Sequence, residues 1–360
     1  LAFEPDTLDA SPRAIKLPWA SGRSGRFVVG LAGFAISVAL TFLGLLAITF
    51  FIGRVVPIDP VLAVVGDRAP RAVYEAARLE MGLDKPLYVQ FVHYVGAILQ
   101  GDFGTSVSTG RPVIEDLKRV FPATLEMATI GIVIGMVLGI PMGVYAASHR
   151  GTVRDQVIRV IGLFGYAVPA FWLGLVGLAV FYARLKWVSG PGRIDIFYDG
   201  LVTPVTGLML VDSLIAGETE IFWNALSHLI LPAGVLGFFS LAYIARMTRS
   251  FMLDQLAQEY VTTARVKGVP ERLVIWRHAF RPILVPLITV CGLSYAGLLE
   301  GSVMVETIFS WPGIGNYLTV ALLNADMSAV LGATLVIGAV FIGINKISDA
   351  LYRILDPRAR

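Results

Sequence analysis

The 360-residue chain is 56% hydrophobic and 15% charged, with a mean hydropathy of +0.73 and a formal net charge of +3. A soluble globular domain carries about a quarter charged residues, so too few charges are present to clothe a water-facing surface. Its basic residues flank apolar runs rather than forming a stripe, which argues for a membrane and against a nucleic-acid partner. The lone Cys291 excludes a disulfide scaffold and any cysteine-pair zinc site.

Residues 1–26 are polar, lack a periodic apolar face and are expected to form a cytoplasmic tail. The run from Phe27 to Ile52 has 26 residues without a charge, bounded by Arg26 and Arg54. As a helix it spans about 39 Å, enough to cross a bilayer. It is too long for a secretory-signal core and no small-residue cleavage site follows, so a retained span is expected. Segment 53–120 reads as a small outer subdomain, with helices at Val73 to Met81 and Leu87 to Leu99 and a loop marked by Gly101, Gly104 and Gly110.

A core of five further spans, within 121–351, is predicted at Met127 to Ser148, Val160 to Ala183, Ile221 to Ala245, Pro282 to Leu299 and Met327 to Asn345. A second outer segment, Arg184 to Glu220, opens with Ser189-Gly190-Pro191-Gly192 and is expected to be mostly irregular; residues 352–360 form a short cytoplasmic tail. The fold class is therefore an all-α integral membrane protein with six transmembrane helices. Of the 29 basic residues, 18 fall on the side of the two termini, and the outer segment Glu300 to Asp326 has no Lys or Arg. Both termini are accordingly expected in the cytoplasm.

The stretch 246–281 is the most informative. Leu253, Leu256, Ala257, Tyr260, Val261 and Ala264 repeat at helical spacing opposite a polar face, and Gly268 with Pro270 ends the pattern. This predicts an amphipathic cytoplasmic helix over 253–268, followed by a more basic helix from Glu271 that carries Arg272, Arg277 and Arg281 into the fifth span. Such an elbow suits either a soluble partner or the lipid headgroup layer.

Missing chemistry narrows the function. None of the six Lys residues follows a Gly, so no Gly-Lys phosphate loop exists, and ATP chemistry must belong to another polypeptide. His93, His149, His228 and His278 stand singly without metal-ligand spacing. An intramembrane hydrolase would have to pair Ser294 with His228, which no local motif supports. An ion-coupled carrier places charges near the bilayer midplane, whereas Glu126, Glu300 and Glu306 are expected at span ends. Pro141, Pro169 and Pro232 break backbone hydrogen bonds inside spans, and Gly131, Gly135, Gly139 and Gly143 recur every four residues as a close-packing face.

With these residues assembled, the chain from about Phe27 onward resembles the inner-membrane permease subunits of bacterial binding-protein-dependent ABC importers, in particular the first permease of the dipeptide and oligopeptide branch. The resemblance is carried by Gly82-Leu83-Asp84-Lys85-Pro86, Gly101-Asp102-Phe103-Gly104, Pro122-Ala123-Thr124-Leu125-Glu126, Gly139-Ile140-Pro141-Met142-Gly143-Val144 and Pro169-Ala170-Phe171-Trp172. Arg246-Met247-Thr248-Arg249-Ser250, Glu306-Thr307-Ile308-Phe309-Ser310-Trp311-Pro312-Gly313 and Leu355-Asp356-Pro357-Arg358 extend it. It implies a type I ABC importer-like permease fold in the bacterial inner membrane.

The resemblance further implies that 253–268 is a coupling helix docking on an ATPase subunit, its Glu-Ala-Ala, three residues, Gly pattern falling at Thr262-Thr263-Ala264 to Gly268. Glu259, Tyr260, Thr263, Ala264, Arg265, Lys267 and Gly268 are the implied coupling residues; Val266 stands where the peptide branch carries Ala. No cofactor is expected in this chain, ATP and Mg being held by two ATP-binding subunits. A second permease subunit, a periplasmic solute-binding protein and a peptide substrate complete the implied set. Relatives on the same scaffold handle nickel, glutathione or opines, which keeps the substrate open.

Overall fold

The computed structural model describes residues 23–55, 60–66, 68–80 and 82–355. Most of the 1–26 tail and residues 356–360, including the Asp356-Pro357-Arg358 part of the last motif, lie outside the described residues. The chain falls into two units, 1–47 and 48–360. In the first, the described residues are helical and belong to α1 (Arg23–Val55), with Phe34, Ile36, Leu40 and Leu43 exposed as expected of a lipid-facing helix.

The second unit carries the rest of α1 and α2 (Pro60–Val65), α3 (Arg71–Glu80) and α4 (Leu87–Leu99), then the long α5 (Val113–Ser148). After it come α6 (Val153–Ala167), α7 (Ala170–Gly177) continued by a π-turn to Arg184, and α8 (Met209–Ile215). The remaining elements are α9 (Thr219–Leu256), α10 (Glu259–Val266), α11 (Glu271–Leu273) running through a π-turn into α12 (Phe280–Ile308), α13 (Ile314–Leu323) and α14 (Met327–Leu355). Among the described residues the β-type pairing is a single bridge, Thr105 with Pro112.

Five helical stretches are long and apolar enough to cross a membrane, and α6 with α7 makes a sixth if the bent pair is one span. The predicted third span, Val160 to Ala183, is therefore not one straight helix: it bends by 103° at Val168–Pro169. Proline disfavours the helical region for the residue before it, and Val168 accordingly takes an extended conformation, φ −91° and ψ 125°. Pro122, Pro141, Pro232 and Pro286 by contrast stay inside continuous helices.

The glycine stripe sets the central pairing. A Cβ on Gly131 would lie 3.0 Å from Leu236 Cβ, on Gly139 3.0 Å from the Leu241 carbonyl oxygen, and on Gly143 2.6 Å from that of Ala245. Both numbers rise together, so α5 and α9 run parallel in backbone contact. Parallel neighbours require a return crossing between them. The bent pair supplies it, because Asp155 at its start bonds Arg249 near the end of α9, while Arg193 beyond its end bonds Glu126 in the first half of α5. From the opposite end α12 runs back, starting with Ile283 beside Val144 and Met252 and finishing with Glu306 on Thr124; α14 then returns from Val330 and Ala333 beside Val113.

Replacing Gly143 by Val is expected to prevent accumulation of folded protein, since overpacking against backbone costs about 1–3 kcal/mol or more. Gly234→Ala, where an added Cβ meets nothing within 4 Å, should leave the melting temperature in detergent unchanged or raised.

Candidate coupling site

The elbow follows α9. That helix continues unbroken to Leu256, Ala257 closes it, and Gln258 is extended (φ −75°, ψ 147°) before α10 starts at Glu259. The single amphipathic helix predicted over 253–268 is thus two elements. Leu253 and Leu256 lie on the last turn of the span and pack with Met252, Ala279 and Ile283, whereas Val261 and Ala264 pack on Val274 from the separate α10. Both sets face apolar neighbours from different helices, and this merged them into one sequence pattern.

The Gly268 stop is as expected. Its φ is +75°, a left-handed conformation that favours glycine. The Val269 N–H donates to Ala264 O at 3.2 Å and the Gly268 N–H to Arg265 O at 3.0 Å, the two bonds of a Schellman cap.

The implied coupling residues divide by position. Glu259, Thr263, Lys267 and Gly268 are exposed, and the Thr263 hydroxyl donates back to Glu259 O at 2.9 Å. Ala264 points inward at 7% exposure and is part of the support rather than the surface. Tyr260 bridges: its hydroxyl donates to Gln255 Oε1 at 2.8 Å and lies 3.2 Å from His278 O, tying α10 to α9 and to the start of the fifth span. Burial pushes this hydroxyl above the usual tyrosine range, so it remains a donor at neutral pH.

Arg265 forks onto Glu271 at 2.7 and 3.1 Å across the glycine turn, and the carboxylate raises the guanidinium further above its ordinary range. Both partners are well exposed, so the pair contributes roughly 0–1 kcal/mol. Val266, 84% exposed at the tip of α10, was not among the expected coupling residues. It falls outside the inward stripe, and its bulk crowds nothing within the chain.

Packing connects the elbow to the bundle through Leu256, which touches both the α10 cluster and the Val144, Ala147, Met252, Ala279, Ile283 cluster. Beside it Arg249 grips Asp155 with two bonds, 2.6 and 2.8 Å, and Arg246 donates to the Tyr166 hydroxyl at 2.6 Å, fixing α6 to α9.

The opposite end is held by polar bonds whose carboxyls the sequence pattern placed at span ends. Glu306 does lie in the last turn of α12 and Glu126 in the first half of α5, and both are buried. Glu126 takes Arg193 at 2.5 and 3.2 Å and the Leu210 N–H at 2.8 Å. Glu306 accepts from Thr124 at 2.7 Å, Ser302 at 2.9 Å and the Asn316 N–H at 2.9 Å; Trp311 donates to Ala123 O at 2.9 Å. His228 is a structural bond-maker, its ring nitrogens 2.9 Å from Gly190 O and 3.3 Å from Asp195 Oδ1. Ser294 bonds Ser240, twelve residues and about 18 Å further along α9, so the hydrolase pairing does not form.

Asp212 pins the loop ahead of α8. Burial would raise its carboxyl, but donors from Thr206 and Gly207 at 2.7–2.9 Å outweigh that and hold it below the usual range. A carboxyl depressed on folding stabilises above its unfolded pKa and loses that contribution only as pH falls through the lower folded value. Asp212→Ala is expected to speed amide exchange over 205–213 at neutral pH, and the wild-type loop should keep its protection down to mildly acidic pH.

Residues 139–360 match the family described as binding-protein-dependent transport system inner membrane component, and residues 26–128 match the N-terminal region of such membrane components. The chain belongs to this family. This permease is 43% identical over 321 residues to the probable D,D-dipeptide transport system permease of Escherichia coli K12, covering 89% of this chain and 94% of that one. It is 42% identical to a di/tripeptide transport system permease of Pseudomonas aeruginosa and 41% identical to the dipeptide transport system permease of Escherichia coli K12, each over 89% of this chain and 95% of the relative. The permease is therefore a multi-pass inner-membrane subunit of an ABC importer with an all-α type I permease fold, working with a binding protein and a partner ATPase that hydrolyses ATP.

Proposed function

We propose that this permease conducts short peptides inward as one of two different permease chains, with both termini and α10 in the cytoplasm and two ATP-binding subunits driving it through α10. The peptide assignment is supported by the relatives named for dipeptides and di/tripeptides. The orientation is supported by the 18 basic residues on the elbow side. ATP and Mg belong to the partner subunits.

The observation that carries the coupling role is the asymmetry of α10. Its inner face is locked by Val261, Ala264 and Tyr260, while Glu259, Thr263, Val266 and Lys267 present an open tip. A bare apolar side chain flanked by charges suits a groove on a soluble protein better than a headgroup layer. When the ATPase subunits close on ATP they displace α10, and Leu256 and the Tyr260 bonds pass the movement to α9 and α12. The bundle is then a two-state element whose balance ATP biases, opening the path outward for peptide from the binding protein; hydrolysis resets it.

The test is twofold. A cysteine at Thr262 should cross-link to the ATPase subunit and react only with inside-applied reagent. Dipeptide uptake into proteoliposomes should need ATP and the binding protein and survive a protonophore. Uptake driven by a proton gradient without ATP would overturn this reading.

A further inference from the structure

A cavity of about 1050 Å³ opens at the end of the bundle remote from α10. One wall is residues 109–120, including the first turns of α5; the second is the loop 193–209; Pro312 and Tyr317 close the base. Small-molecule sites occupy about 300–1,000 Å³, so this cleft has room for an extended short peptide. Val120, Ile194, Val202 and Met209 supply apolar surface between its charged groups.

The charged groups sort into two kinds. Asp116 is held by Thr109 at 2.5 Å and Tyr317 at 3.3 Å, and Arg193 by Glu126 and by Gly207 O at 2.8 Å; these build the walls. Arg111, Glu115, Lys118, Arg119 and Asp199 also line the cleft, are exposed, and make no side-chain hydrogen bond or ion pair among the described residues. The balance of free charge differs between the two walls. The α5 wall offers three free cations against one free carboxylate, and the loop wall offers the Asp199 carboxylate. Opposed charges across an apolar floor orient a zwitterion, with its carboxylate toward Lys118 and Arg119 and its ammonium toward Asp199.

We infer that this cleft is a peptide-holding subsite on the permease itself, receiving a peptide with free termini between the binding protein and the path through the bundle. This rests on the peptide reading above. The loop wall is held at both ends: Arg193 ties it to Glu126 of α5 and to Gly207 O, and Asp212 of α8 takes Thr206 and Gly207.

The test uses the complete transporter with its binding protein in proteoliposomes. Val205, exposed on the loop wall, is replaced by the photo-cross-linking residue p-benzoylphenylalanine, and radiolabelled dialanine is supplied. The expected result is label on the permease at that position, lowered about tenfold by Lys118→Ala with Arg119→Ala. Asp199→Asn should lower labelling by dialanine but not by its N-acetyl derivative. Normal dipeptide uptake with no label in the cleft, or labelling indifferent to all these variants, overturns the subsite and spares the peptide reading. A cross-link to the binding protein or to the second permease in place of peptide overturns it as well. If the wild-type transporter accumulates no dipeptide, both fall together.

Discussion

Gly268→Asp is expected to abolish peptide uptake and ATPase stimulation while leaving the permease inserted and assembled in the membrane. The backbone at this position is left-handed, and an added Cβ would meet nothing within 4 Å. Asp is among the residues that tolerate this conformation, so the strain is about 1 kcal/mol, too little to unfold a span-anchored elbow. What changes is the tip: a carboxylate enters beside Lys267 and the exposed Val266, where an apolar contact with the ATPase is proposed. Gly268→Ala should give an intermediate rate, since it carries the strain without the charge. Uptake by the Asp variant at the wild-type rate would remove α10 from the coupling path.

The largest stability effect is expected at Glu306. Its carboxyl has no accessible surface, and three donors converge on it from α5, α12 and the start of α13. Gly313 and Gly315 pack so closely that a Cβ on either would lie 2.5 and 3.0 Å from Glu306 Oε2. Glu306→Ala orphans the Asn316 N–H and the Thr124 hydroxyl, leaves Ser302 only its bond to Leu299 O, and opens a void, at roughly 1–3 kcal/mol for each buried group left unsatisfied. The thermal midpoint in detergent should collapse. Glu306→Gln should be milder: its oxygen can keep the Asn316 bond and its amide can donate to the two hydroxyl oxygens, with Ser302 still bonded to Leu299 O and only the Thr124 hydroxyl hydrogen losing its acceptor. Equal melting temperatures for the two variants would show that this junction carries no weight.

Most of the architecture was legible in the sequence, because a span must hide its backbone and so writes a long uncharged run. The helices at 71–80 and 87–99 and the Gly268 stop followed from short-range rules that tertiary packing did not override. Two features escaped for one physical reason: periodicity records apolar facing, not chain direction. The pattern 253–264 looked continuous although the chain breaks at Gln258, since both halves face apolar neighbours. The 103° bend at Val168–Pro169 hid inside an unbroken apolar run, and nothing in the composition distinguished Pro169 from the tolerated Pro141 and Pro232.

At the elbow, residue type alone could not divide surface from support. Ala264 and Val266 are both small apolar residues two positions apart, yet one is buried and the other bare. The junction around Glu306 was unreadable for a different reason. Asn316 is only ten residues from Glu306, but Thr124 lies 182 residues away and is brought to it only by the meeting of α5 with α12.

The parallel contact of α5 with α9 has a bearing on how such permeases can be recombined. Gly135 and Gly143 leave no room for any methyl, and their counterparts Ser240, Ala245 and Thr248 are matched to that gap. The two helices are a lock and its own key, cut from one blank. A chimera that borrows 131–143 from a relative without also borrowing 237–248 should fail to assemble, whereas one that exchanges both together should fold, whatever cargo the donor carries.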